Sequence, residues 1–176
     1  MAGKSSWLES GLVILGTAGP TGLTIDKLVA ATGLSTGSFY HHFSGMSGYK
    51  TALLAYFEEM HTTRYLREVR AAAERLDGRG RLELLIDLVL EDDEPANVEM
   101  AVRAWALNDP IAAAAKERVD NARLGFLRIL LMESGYAETD AHDIAQILYL
   151  LVLGAGSVLP AVPPEQLREL CRRIVG

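Results

Sequence analysis

The side chains best placed to act together crowd into one stretch, Gly33-Leu34-Ser35-Thr36-Gly37-Ser38-Phe39-Tyr40-His41-His42-Phe43. Ser35, Thr36, Ser38 and Tyr40 bring hydroxyls, and His41 and His42 bring imidazoles. These groups suit hydrogen bonding to phosphate oxygens and to base edges in a DNA groove. Bond-making chemistry has no comparable signal. The chain has no nucleophile elbow, no glycine loop able to cradle a phosphate and no HExxH pair, so no catalytic residues and no cofactor are expected. His41 and His42 are adjacent, and neighbouring helical residues point in different directions, so they make no metal pair. The run Glu91-Asp92-Asp93-Glu94 precedes Pro95 and reads as a solvated loop. With one cysteine, Cys171, no internal disulfide framework or cysteine-based zinc site is available.

Positioning that stretch requires two short helices. Thr24 is a plausible N-cap for a helix with the face Ile25, Leu28, Val29 and Thr32, and Gly33 follows where a helix end commonly takes positive φ. Ser35 can cap a second helix through about Phe43. Two short helices around a glycine turn are the plan of a helix-turn-helix, with Leu28, Leu34 and Phe39 locking the pair and Ser35, Thr36, Ser38, Tyr40, His41 and His42 projecting outward. An ordinary helical hairpin in a core has the same spacing.

The string from Gly33 to Phe43 closely resembles the recognition-helix signature of the TetR family of bacterial regulators. The layout around it is similar too: a first helix carrying Leu8, Leu12 and Leu15 that closes at Gly16 and Gly19-Pro20, a Gly22-Leu23-Thr24 entry, and a fourth helix with Ala52-Leu53-Leu54. The specific likeness covers about residues 8–57. It implies a homodimer whose recognition helices enter successive major grooves of a palindromic operator, and a body that binds a small apolar or amphipathic effector. It implies repression relieved when that molecule binds. Carried over residue by residue, it places Tyr40 and His42 on phosphates, Ser35, Thr36, Gly37, Ser38 and His41 near base edges or backbone, and Thr24 beside a phosphate. Two positions depart from the pattern. Thr36 stands where a basic or amide residue is common, and Met46 where many members have lysine. Lys50, one turn on, is a partial substitute.

Beyond the head (1–48) the helical period recurs through a body (49–176), giving an all-α reading with about nine helices. A long helix capped by Ser47 runs over about 47–76 and ends at Asp77-Gly78-Arg79-Gly80. Asp109-Pro110 opens a helix to about Glu133. Asp140 with Asp143 resembles a capping box, and Pro163-Pro164 opens the last helix. By residue type, His61, Tyr65, Met100, Trp105, Asn108, Phe126 and Tyr149 are candidates for an effector pocket, although ordinary packing explains each one singly. Residues 144–158 are apolar on nearly every side, so that helix needs cover on both flanks. Ala145, Leu148, Val152 and Gly156, with Leu167, Leu170 and Ile174, are the expected dimer interface.

Composition bounds the rest. With 49% hydrophobic and 23% charged residues the chain can bury a core, and a net charge of −6 argues against nonspecific coating of nucleic acid. Residues 1–50 instead hold Lys4, Lys27 and Lys50 against Glu9 and Asp26. The apolar run 145–159 is shorter than the roughly 20 residues of a membrane span, and residues 1–11 lack the apolar core of a secretory signal. A cytoplasmic DNA-binding regulator is therefore expected. The rival reading is a helical dimeric interaction protein with a degenerate head, favoured by Met46 and the sparse positive charge. A small all-α enzyme is the third.

Overall fold

A computed structural model describes residues 2–91 and 96–176 of the chain. Its α-helices are α1 (Ala2–Ala18), α2 (Ile25–Thr32), α3 (Thr36–His42), α4 (Gly45–Glu58), α5 (Arg64–Ala71), α6 (Gly78–Glu91), α7 (Ala96–Ala106), α8 (Pro110–Glu133), α9 (Glu138–Ala155) and α10 (Pro164–Ile174). Among the described residues there is no strand. Helices α4 and α5 are the single long helix expected over 47–76, interrupted by a π turn at Glu59–Thr63. Counted as one, they restore the expected nine. Residues Asp92–Glu94 of the acidic run lie outside the described residues.

Several local signals perform as their chemistry predicts. Thr24 Oγ1 accepts the Lys27 N–H at 3.3 Å, and Ser35 Oγ accepts the Ser38 N–H at 3.2 Å. Asp109 Oδ1 accepts the N–H groups of Ile111 and Ala112 at 2.9 and 3.2 Å and so caps α8. Gly33 adopts φ 69°, the left-handed region where a Cβ is disfavoured, and its N–H closes α2 on Val29 O.

Other expected boundaries move. Helix α4 begins at Gly45, two residues before Ser47, which is therefore inside the helix rather than its cap. Gly78 and Gly80 sit in the first turn of α6 and not in the break. Gly78 is admitted there by close packing, since a Cβ would lie 2.4 Å from the Glu133 carbonyl carbon. Helix α9 begins at Glu138, so Asp140 is in its first turn, where the helix dipole favours a carboxylate, rather than at a capping box.

The helices form two compact units. The first comprises residues 1–60 and 94–118, the second 61–93 and 119–176. These units follow packing and cut across the functional division drawn at residue 48.

In the first unit α1 is packed by α2, α4 and α7. Trp7, Leu15, Leu28, Phe39, Tyr49, Leu53 and Leu54 are almost wholly buried there. Tyr49 donates its hydroxyl to Trp7 O at 2.7 Å, and burial pushes the phenol well above its usual pKa. The hydroxyl reaches that carbonyl across Gly11, where a Cβ would fall 1.9 Å from it. Glycine inside a helix costs about 1 kcal/mol against alanine, so a side chain's close approach is what justifies it. Gly11→Ala should therefore destabilise the protein by about 1–3 kcal/mol despite the better helix former. A thermal melt checks this, and an unchanged midpoint would mean Tyr49 is not seated on α1.

The second unit has one core built from Tyr65, Leu66, Val69, Leu82, Phe126, Leu130, Leu131, Ala145, Leu148, Leu167 and Cys171, among others. Helix α10 is tied to α6 by Arg168–Asp87 and Arg172–Glu83 pairs, each at 2.8 Å. Burial, and next the neighbouring Glu83 charge, raise the Cys171 thiol pKa, so its reactive thiolate is disfavoured. Among the described residues no helix is long and apolar enough to cross a membrane.

Candidate nucleic-acid interface

The outer face of α3 is fixed by a ring cluster behind it. Phe39 is fully buried and is the hub. Its ring lies 5.5 Å from Trp7 at 81°, 5.3 Å from Phe43, 5.4 Å from Tyr49, and 5.5 Å from Tyr40 at 88°. Edge-to-face arrangements of this kind add about 0.5–1.5 kcal/mol per pair beyond area burial, and they fix helix orientation. One side of α3 is thereby anchored to α1 and α4, and the other side is left to solvent.

On that outer side Ser35, Thr36, Gly37, Tyr40 and His41 are exposed, and Ser38 and His42 are half-buried. The His41 and His42 rings lie 5.1 Å apart at 70°. Thr24 is exposed at the start of α2. The capping hydroxyls of Thr24 and Ser35 accept backbone N–H groups through oxygen, which leaves each O–H proton available to an acceptor such as a phosphate. Gly37 has no steric need within the protein, since a Cβ there would meet only Ser35 Oγ at 3.8 Å. Lys27, exposed on α2 one turn after Thr24, and Lys4, exposed near the start of α1 with Nζ 5.8 Å from the Phe43 ring, add positive charge on the same unit. Neither lies in the recognition-helix string, and charge alone does not tell such lysines from ordinary solubilising ones.

Lys50 stands apart from the eight others. Its Nζ is 5.5 Å from the Trp105 ring centroid. Asp109, at the α7–α8 junction, accepts a hydrogen bond from the Trp105 side chain. Burial pushes the Asp109 carboxyl up, but the Trp105 bond, the Ala112 and Ile111 N–H groups and the Lys50 charge together hold it below the usual carboxylate range. A carboxyl lowered in the folded state contributes stability above its unfolded pKa of about 3.9, and that contribution is lost as pH falls further.

The seven pocket candidates are divided between the two units. Met100, Trp105 and Asn108 belong to the first unit, where Met100 and Asn108 are exposed and Trp105 is core. His61, Tyr65, Phe126 and Tyr149 belong to the second. There Tyr65 and Phe126 share the core, with the Arg70 guanidinium 5.0 Å from the Phe126 ring. Tyr149 donates to Asp120 Oδ1 at 2.6 Å. Arg123 Nε donates to Thr62 Oγ1 at 2.9 Å, and its Nη2 donates to the His61 carbonyl at 3.0 Å.

Thr62, only 1% exposed in the π turn, was not among the candidates, nor were Arg123 and Asp120. A signal existed for Arg123. It occupies the Val119–Phe126–Leu130 stripe, a charge where the period calls for an apolar residue. Elsewhere in this unit a cleft of about 130 Å³ is lined by Arg79, Leu82, Glu83, Ser134, Gly135, Tyr136 and Val175.

The expected dimer residues divide by burial. Ala145, Leu148 and Leu167 are core of their own unit, Val152, Leu170 and Ile174 are half-buried, and Gly156 is exposed. Among the large apolar side chains facing outward are Ile129 and Met132 of α8 and Ile147 and Leu150 of α9, which are 44–64% exposed. Among the described residues there is no cluster of histidine, cysteine, aspartate and glutamate able to hold a metal.

Residues 8–49 match the family model described as bacterial regulatory proteins, tetR family. The whole chain shares its fold with solved structures of similar length. A TetR transcription regulator from Haloarcula marismortui ATCC 43049 is 19% identical with a TM-score of 0.78, over 99% of this chain and 96% of that one. E. coli NemR in its reduced form is 18% identical with a TM-score of 0.81, over 99% and 98%. The multidrug binding protein EbrR, complexed with malachite green, is 18% identical with a TM-score of 0.66, over 98% of each. No curated protein matches the sequence.

Proposed function

From a head that carries the TetR-family signature and a chain with the fold of TetR regulators, we propose that this protein is a ligand-responsive transcriptional repressor that reads a palindromic operator as a homodimer. The observation that carries this reading is the exposed hydroxyl and imidazole face of α3, held rigid by the rings around Phe39. On it Tyr40 and His42 contact phosphates, Ser35, Thr36, Ser38 and His41 approach base edges or backbone, and Thr24 contacts a phosphate at the head of α2. The functional division is a reading head over 1–48 and an effector-binding, dimerising body over 49–176. No arginine lies between residues 1 and 50. Base readout therefore rests on hydroxyls, methyl contacts and DNA shape, and the salt dependence of binding is shallow.

Two copies associate through the outward faces of α8 and α9. Exposed Ile129, Met132, Ile147 and Leu150 are large apolar side chains that a monomer gains nothing by displaying. The partly covered Val152 extends the α9 face. The small effector binds in the second unit, where Tyr65 and Phe126 supply apolar surface and the Arg123–Thr62 and Tyr149–Asp120 pairs supply polar anchors. EbrR, which is seen with malachite green, shows that a protein of this fold holds such a molecule. Effector binding would change the head spacing so that the recognition helices no longer fit one helical turn of about 34–36 Å.

Purified protein titrated against the DNA flanking its own gene, and against scrambled DNA, tests the reading. Affinity at least about 1,000-fold higher for the first is expected. Equal weak binding to both, followed by failure to select any site, would favour a helical dimer that no longer reads sequence. Gly37 offers a finer check. Gly37→Ala should leave the melting midpoint unchanged or higher, because the space is open and alanine favours helix. It should nonetheless weaken operator binding, because its methyl would face the groove. Unchanged affinity would remove Gly37 from the interface.

A further inference from the structure

Lys50 is the cation nearest to the start of α4 in the sequence, and the absence of a lysine at Met46 makes it an obvious phosphate ligand. Its surroundings point elsewhere. The ammonium is 5.5 Å from the centroid of the Trp105 ring. That ring is 4% exposed, so its position is set by packing and it can hold a cation in place. The indole donates to Asp109, whose carboxylate also caps α8 through Ile111 and Ala112. A second tie joins the far end of α4 to α8, where Arg118 Nη2 meets Glu58 Oε2 at 3.0 Å. Helix α4 is thus held near both its ends by charged contacts from the α7–α8 segment of its own unit.

We infer that Lys50 is a positioning residue: with Trp105 and Asp109 it forms a clasp that fixes the first turns of α4 against the α7–α8 corner, and it does not contact phosphate. The inference deepens the DNA-binding reading, because α4 supplies Tyr49 to the ring cluster that orients α3. A shift at the α7–α8 corner reaches the recognition helix along this route. The clasp is one charge, one ring and one carboxylate in series, so removing any member should release the same restraint.

The experiment is a double-mutant cycle on the full chain with Lys50→Met and Asp109→Asn, read as operator affinity over a salt series. A lost phosphate contact reduces the slope of log K against log[salt] by about 0.9. The clasp predicts an unchanged slope, a fall in affinity of about 3- to 5-fold for either single variant, and no further loss in the double variant. A flattened slope with Lys50→Met, or losses that multiply, would overturn it. If the wild-type protein binds no DNA sequence, the DNA-binding reading fails and the clasp is judged separately by thermal denaturation of the same four proteins. Non-additive midpoints then support it, and additive ones refute it.

Discussion

Phe39→Ala should unfold the head's reading surface, lowering stability by about 3–5 kcal/mol and abolishing sequence-specific DNA binding. Phe39 has no exposed surface and touches four other rings, so its removal leaves a void that no single neighbour can fill. The void opens between α1, α3 and α4, the helices whose mutual angles aim Tyr40 and His41 outward. At this size roughly 2–4 °C of melting temperature is lost per kcal/mol, so a drop of the order of 10 °C is expected. Phe39→Leu, which keeps most of the volume, should fall between the two proteins. DNA binding by Phe39→Ala at wild-type affinity would mean that the orientation of α3 does not depend on this cluster.

The second large effect concerns assembly. Leu150→Glu, made together with Ile147→Asp, should convert the proposed dimer to a monomer at micromolar concentration. Both side chains are at least half exposed, so the protomer's own fold should tolerate the change. Like charges facing across a two-fold axis would then oppose association directly. A monomer contacts one half-site at a time, so operator affinity should fall on the order of 100-fold or more. Light scattering and a binding titration read the two consequences. A dimer that survives the double substitution would place the interface on another face.

The expected residues Ala145, Leu148 and Leu167 would make the opposite case. Changing them should damage the protomer itself, since each is buried in its own unit. That contrast shows where the sequence was legible and where it was not. The caps Thr24, Ser35 and Asp109 and the left-handed Gly33 were readable because each is a local event, a side chain or a φ angle answering an unsatisfied backbone group nearby. The orientation of α9 was not. A helix apolar on nearly all sides has little periodic contrast, and here its alanines face inward while Ile147 and Leu150 face outward. Ala141, Ala145 and Ala155 share the buried side of α9 with Leu148 and Tyr149, a choice of face that hydrophobicity alone does not encode.

The π turn is a second illegible feature. Residues 59–63 continue an α-helical pattern in sequence, and what sustains the irregular turn is distant: Arg123, some sixty positions later, donates to Thr62 and to the His61 carbonyl. Lys50 shows the same limit in the candidate site. Its type and position read as a phosphate contact, and the ring it lies against belongs to residue 105, far along the sequence. By contrast, α3 leaves its expected residues exposed or half-buried, because its cap, the glycine turn before it and its buried Phe39 all lie within the string from Gly33 to Phe43.

Selection from random double-stranded DNA with the intact protein tests the central claim most directly. The account predicts enrichment of a palindrome whose half-sites are centred about one helical turn apart, roughly 10 base pairs. Enrichment should vanish with Phe39→Ala and collapse with the Ile147→Asp, Leu150→Glu pair. A stable, folded dimer that enriches no sequence would contradict it, leaving the α3 face as the surface of an interaction protein that does not read DNA.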